Sequence, residues 1–176
     1  MNRCLYAYPR LFWEFFIFSF LGWIVETVYV YGMTGEWTMR GTLAYGLPII
    51  HIYGLGGLII VYLIGKLKKK PIVYFIVSAI VLSLVELAGS YYEQYFIGER
   101  TWDYADLPFN YQGRISLSTA LGWGTLAFLV EYIIYPEIRW LINKIPRLIL
   151  IYSSIILTIY VFIVTILRYV VFPGFY

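Results

Sequence analysis

The sequence predicts an all-α, polytopic integral membrane protein with five transmembrane helices. Three observations carry that reading. The 176 residues are 61% hydrophobic and only 13% charged, with a mean hydropathy of +0.76. The chain holds five long apolar runs, and about 20 residues of helix cross about 30 Å of hydrocarbon. Its 19 Tyr, 6 Trp and 12 Phe suit aromatic belts at both membrane interfaces, where amphipathic rings sit at headgroup level. So little is left outside the bilayer that residues 1–176 are expected to form a single transmembrane domain, with the lipid bilayer as its first partner.

Helix 1 is expected over residues 11–31, stopped by Gly32 and Gly35, and a short loop then carries Glu36, Trp37 and Arg40. Helix 2 covers residues 42–65, interrupted early by Gly46 and Pro48 and studded with Gly54, Gly56 and Gly57. Small residues of this kind let helices approach closely in a membrane. The basic run at 66–70 closes it, and Pro71 opens helix 3 over residues 72–96. A polar segment follows at 98–114, then helix 4 at 115–135, a short basic connection at 136–146, and helix 5 at 147–171. The first apolar run exceeds the 7–15 residues of a signal-peptide core and no small-residue cleavage site follows, so it reads as a retained helix.

Basic residues set the orientation. With the 66–70 loop cytoplasmic, the inner side holds Arg3, Arg10, Lys66, Lys68, Lys69, Lys70, Arg139, Lys144 and Arg147, against Arg40, Arg100, Arg114 and Arg168 outside. Nine against four is the positive-inside bias, and it predicts a cell-membrane protein with a cytoplasmic N-terminus. The net charge of +3 is confined to short inter-helix segments, which is not a nucleic-acid footprint. Cys4 is the single cysteine, so an intramolecular disulfide is excluded. There is no Gly-x-Ser-x-Gly elbow and no phosphate loop. The lone His51 is expected to be a hydrogen-bonded interfacial histidine; no metal and no cofactor are expected.

Against this apolar background stand the acidic residues. A charge at the bilayer centre costs about 2.5–3.5 kcal/mol even on insertion scales, so each is a candidate for function. Glu26 falls toward the outer end of helix 1, with Arg40 in the loop beyond. Glu86, Ser90 and Glu93 are spaced i, i+4, i+7 and share one face of helix 3. Asp103, Asn110 and Arg114 complete the outer end. Arginine matters here because its planar fork binds a carboxylate or phosphate through two parallel hydrogen bonds. Arg114 is expected to meet Glu86, Glu93 or Asp103, in one cavity open to the outer leaflet. Asp103 is expected to fold its loop through an Asx turn. Glu14 and Glu131, nearer the inner side, read as snorkelling or helix-end residues.

Helices 1–2 and 3–4 share a short likeness: an outer-half Glu, a loop beginning Gly-Glu (Gly35-Glu36, Gly98-Glu99), a Trp (Trp37, Trp102), and an Arg beside a Gly (Arg40-Gly41, Gly113-Arg114). Both pairs run in the same sense, which is compatible with a parallel helix-pair repeat of the kind some transporters use.

A longer pattern runs through the chain: Glu86, Ser90, Glu93, then Trp102-Asp103-Tyr104, Pro108-Phe109-Asn110, Gly113-Arg114-Ile115 and Trp123-Gly124. Upstream lie Phe20-Leu21-Gly22-Trp23 with Glu26, Arg40-Gly41 and Ile52-Tyr53-Gly54. This pattern, over about residues 20–124, resembles the bacterial CmpB-like family of ABC-transporter type IV permeases. The chain departs from that family at Ala105, where Ser is usual, at Ser116, where Cys is frequent, and at His51, where Pro is usual. A thiol role after Gly-Arg-Ile is therefore not carried over.

The resemblance implies a permease-like transport component with a charged outer-leaflet pocket for a small solute or lipid. Five helices are few for a complete pathway, which implies a homo-oligomer or a separate ATPase subunit. The residues alone equally allow a membrane-embedded enzyme acting on a lipid or lipid-linked substrate. There Glu86 or Glu93 would act as base, and Arg114 and Arg40 as a phosphate clamp.

Overall fold

The computed structural model describes residues 4–37, 47–96, 98–100 and 102–166, and their regular elements are all helical. Helix α1 (Cys4–Thr34) overruns its expected bounds at both ends. It stops where Gly35 turns into the left-handed region at φ 73°, returning its N–H to Tyr31 O at 2.8 Å. Glycine meets that conformation without steric cost.

Helix α2 (His51–Leu67) begins later than the apolar run suggests. Residues 42–46 of expected helix 2 lie outside the described residues, while 47–50 are not helical. Pro48 explains the late start, because a proline disfavours helical geometry at the residue before it and has no amide to give. From Ile59 the helix widens into a π turn (Ile59–Leu63) and then tightens into a 3₁₀ turn (Ile64–Leu67).

Helix α3 (Pro71–Phe96) places its proline at the first helical position, where a missing N–H is harmless. Helix α4 (Leu117–Lys144) is longer than expected. Its start is fixed by Ser116, whose side chain accepts from Thr119 N–H while the Thr119 hydroxyl accepts from Ser116 N–H. The connection expected at 136–146 is largely absent: the helix runs through Pro136 to Lys144, leaving only Ile145 and Pro146 before α5 (Arg147–Ile166). A π turn (Val130–Ile134) makes this possible. Tyr135 N–H bonds to Val130 O, five residues back. Widening one turn accommodates a proline that would otherwise collide with the carbonyl four residues behind it. Residues 167–171 of expected helix 5 lie outside the described residues.

Helices α1, α3, α4 and α5 are long and apolar enough to cross a membrane, and α2 is a shorter apolar helix. The chain divides into two compact units, Met1–Leu55 with Ile138–Tyr176, and Gly56–Glu137. In the first, Ile50 N–H reaches Ser19 O at 3.1 Å, the Tyr53 ring packs against Gly22, and Gly54 packs against Ser19 and Phe15. The Trp13 indole donates to Ser153 Oγ of α5 at 3.2 Å, and the Tyr8 and Thr158 hydroxyls bond one another. In the second unit α3 and α4 pack closely: a Cβ on Gly124 would stand 2.9 Å from the Phe75 ring. One turn on, the Tyr74 hydroxyl donates to Ala127 O at 3.1 Å.

Candidate functional site

Helix α3 is sorted by chemistry along its length. Tyr74, Ser78, Leu82, Glu86 and Ser90 recur every four residues and are buried, with Ala79 and Ser83 beside them. Ile72, Ile76, Ile80 and Leu84 are exposed. The two columns are offset by two residues, about 200° around a helix. The buried face is thus the more polar and the exposed face is aliphatic, the reverse of a helix in water.

The segment 98–114 is built over the end of this column as a set of interlocking turns; residues 97 and 101 lie outside the described residues. Asp103 Oδ1 accepts from Ala105 N–H at 2.9 Å, the expected Asx turn. Asn110 donates to Ala105 O and Leu107 O at 3.0 and 2.8 Å, and accepts from Gly113 N–H at 3.0 Å. Tyr104 N–H bonds Gly113 O at 2.7 Å. Gly113 has φ 69°, and a Cβ there would run into the Asp103 carboxylate. The Trp102 indole donates to Arg114 O at 3.0 Å.

These turns aim two side chains at α3. The Tyr104 hydroxyl donates to Glu86 Oε1 at 3.0 Å, with Glu86 only 4% exposed. Arg114, 7% exposed, donates from Nη1 to Ser90 Oγ at 2.9 Å and from Nη2 to Gln94 Oε1, and its guanidinium lies 4.0 Å over the Tyr91 ring. Ser90 sits one turn beyond Glu86 on the same face. A carboxylate, a hydroxyl and a guanidinium therefore follow one another along the column.

The structure brings Glu86, Ser90 and Arg114 to one place, and Glu93, half-buried, lies on the same helix end. It does not give Arg114 the expected carboxylate: its hydrogen bonds go to the neutral Ser90 and Gln94. Asp103 is taken by Arg100 at 3.0 Å instead, because Arg100 stands three residues away on the same exposed turn. Asn110 braces the loop backbone. Glu26 belongs to the first unit, where the Tyr53 hydroxyl donates to its Oε2 at 2.7 Å. Arg40 lies outside the described residues.

Sequence reasoning missed several participants. Tyr53, Tyr91, Gln94 and Tyr104 were legible only as aromatic or polar neighbours. Glu14 and Glu131 do not snorkel. The Glu14 side chain is 0% exposed and pairs with Arg10 at 3.0 Å; that of Glu131 is 2% exposed and pairs with Lys68 at 3.1 Å. The signal for Glu131 was Pro136, which imposes the π turn that carries it.

A model of the family described as "Putative ABC-transporter type IV" matches residues 13–169, well beyond the motifs and into the last helix. No curated protein and no solved structure matches the chain. The chain belongs to that family.

Proposed function

Proceeding from that family membership, we propose that this membrane protein is a permease-like transport component. In this reading residues 1–176 form one transmembrane domain of five spans, α2 included, with the N-terminus and both basic connections on the cytoplasmic side of the cell membrane. Helices 1–2 and 3–4 are then a parallel repeat. The observation that carries the proposal is the buried face of α3: Ser78, Ser83, Glu86 and Ser90 in line, ending at Arg114. A row of hydroxyls and a carboxylate is a poor core for a helix hairpin in lipid. It is a good lining for a path along which a polar solute moves. Glu86, Glu93 and Arg114 supply the charged outer pocket, with Glu26 and Arg40 assigned to it from the sequence. Energy coupling, in the absence of a phosphate loop, falls to a separate ATPase subunit, or the domain acts as a homo-oligomer.

Single cysteines placed along α3 in a Cys4→Ser background test this. A charged, membrane-impermeant thiol reagent should modify positions 78, 83 and 90 and spare 76, 80 and 84. Modification of 76, 80 and 84 with the buried column unreactive would overturn the proposal.

One observation favours a second reading, a membrane-embedded enzyme on a lipid or lipid-linked phosphate. Arg114 is buried, its bonding partners are neutral, and its Nε has no hydrogen-bond partner among the described residues. A phosphate held there would lie near Glu86 as base. The two readings separate by access: labelling of the column from both sides of the membrane belongs to transport, and labelling confined to the 98–114 end belongs to the enzyme. In either case Glu86→Gln should abolish activity while leaving the protein inserted.

A further inference from the structure

The opposite end of the second unit holds a group that neither reading uses. Glu131 lies inside the π turn Val130–Ile134, and its Oε1 accepts from Lys68 Nζ at 3.1 Å. Its Oε2 is buried and has no hydrogen-bond partner among the described residues. A half-satisfied buried carboxylate is costly, and in a native fold such an atom calls for an explanation. The facing helix supplies one. A Cβ built on Gly65 would stand 3.2 Å from Glu131 Oε2 and 3.3 Å from Ile60 O. Ile60 belongs to the other π turn, Ile59–Leu63, so its carbonyl sits in a widened stretch of helix. One anionic oxygen and one carbonyl oxygen thus border the single point that glycine alone keeps clear of carbon.

We propose that this point is a binding site for a small monovalent cation, sodium or hydronium, held by Glu131 Oε2 and Ile60 O. Carbonyls released from regular helical bonding, together with a carboxylate, are the donor set that membrane proteins present to such ions, and π turns recur at functional positions. Among the described residues no three His, Cys, Asp or Glu side chains gather, so the chemistry is not that of a divalent site. Lys68 is the tethered competitor. Its side chain is 54% exposed, so its ammonium can leave Glu131 for water when the cation arrives. The site stands on this end of the second unit alone and does not depend on the transport reading.

The test uses the full chain in detergent. Thermal unfolding and binding of radioactive sodium are measured in sodium chloride and in choline chloride of equal ionic strength, from pH 5 to 8. A sodium site gives saturable sodium binding and a higher unfolding temperature in sodium at fixed pH. A hydronium site gives no sodium effect but a pH-dependent unfolding temperature in choline. Either response must vanish in Glu131→Gln, and it should weaken at least tenfold in Gly65→Ala, whose methyl presses on both oxygens. Lys68→Met removes the competitor and should bind the cation at least tenfold more tightly, which a purely structural salt bridge would not do. Equal behaviour in sodium and choline at every pH, in the wild type and in Lys68→Met, would overturn the proposal.

Discussion

The two ends of the second unit both bury a charge, and they handle it in opposite ways. At the 98–114 end Arg114 is fixed by neutral groups, Ser90, Gln94 and the Tyr91 face, and by a loop whose own turns are densely hydrogen-bonded. At the other end Glu131 is neutralised by Lys68, a flexible point charge that is half in water. The first arrangement holds a charge rigidly in a set geometry. The second holds it through one long side chain that can be withdrawn. The difference teaches that a buried charge in this fold is kept either by shape or by a partner. The two kinds should fail differently when mutated.

The largest effect should come from breaking the partnered charge. Lys68→Met leaves Glu131 buried beside a methyl group, and losing one member of a buried pair costs about 3–5 kcal/mol. The low end, about 3 kcal/mol, is expected because Lys68 reaches solvent. Thermal unfolding in choline buffer measures it, with Lys69→Met as the control for simple loss of a lysine. The double variant Lys68→Met/Glu131→Gln should recover most of the loss, since neither charge then remains. A Lys68→Met protein no less stable than the Lys69→Met control would show that Glu131 is not held by its partner at all.

The shape-held end should be broken by backbone rather than by charge. Gly113 sits at φ 69° with the Asp103 carboxylate where a Cβ would go. Gly113→Ala therefore meets both an unfavourable conformation, worth about 1–3 kcal/mol, and a clash. Trp102 rests on the next residue's carbonyl, so its fluorescence should shift toward that of an exposed indole. Gly122, with nothing within 4 Å of its would-be Cβ, is the matched control. Gly122→Ala should be neutral or slightly stabilising, because alanine favours helix over glycine. An unshifted Trp102 emission in Gly113→Ala would mean that the loop tolerates another conformation there.

These two ends were unequally legible in the sequence. The helices were visible because a run of about 20 apolar residues has one solution in lipid. The Asx turn at Asp103 and the face shared by Glu86 and Ser90 follow from local rules of spacing. What pairs with Arg114 does not, because partner choice depends on where a loop of several turns delivers the side chain. Arg100, three residues from Asp103, took the carboxylate that Arg114 was expected to hold. Glu131 was misjudged for a related reason. Pro136 was taken to end a helix, whereas a π turn absorbed it and carried Glu131 inward beside Gly65. Start and stop signals assume regular helix, and a widened turn evades them.

A smaller loss should follow at the joint between loop and column. Tyr104→Phe removes only the hydroxyl that donates to Glu86 Oε1. A hydrogen bond to a charged group contributes about 1.5–3 kcal/mol. About 1.5 kcal/mol is expected in thermal unfolding, since the ring stays in place. If Glu86 is also functional, the same variant should alter activity while Trp102 emission stays unchanged, because the turns themselves are untouched. A Trp102 shift as large as that of Gly113→Ala would instead make Tyr104 part of the loop's scaffold.

The smallest effect is predicted where a charge is neither buried nor needed for shape. Asp103 uses its two oxygens differently: Oδ1 closes the Asx turn on Ala105 N–H, and Oδ2 meets Arg100 at 3.0 Å, with the aspartate side chain 53% exposed. Asp103→Asn keeps an amide oxygen for the turn and discards the ion pair. Exposed pairs of this kind contribute about 0–1 kcal/mol and fade with salt, so the variant should unfold within 1 kcal/mol of the wild type, with no difference at high ionic strength. Asp103→Ala, which also deletes the turn's acceptor, should lose about 1 kcal/mol more at every salt concentration. The gap between the two variants isolates the turn from the charge. If Asn were as harmful as Ala, the carboxylate would be holding this end by charge after all, and the contrast with the Glu131 end would collapse.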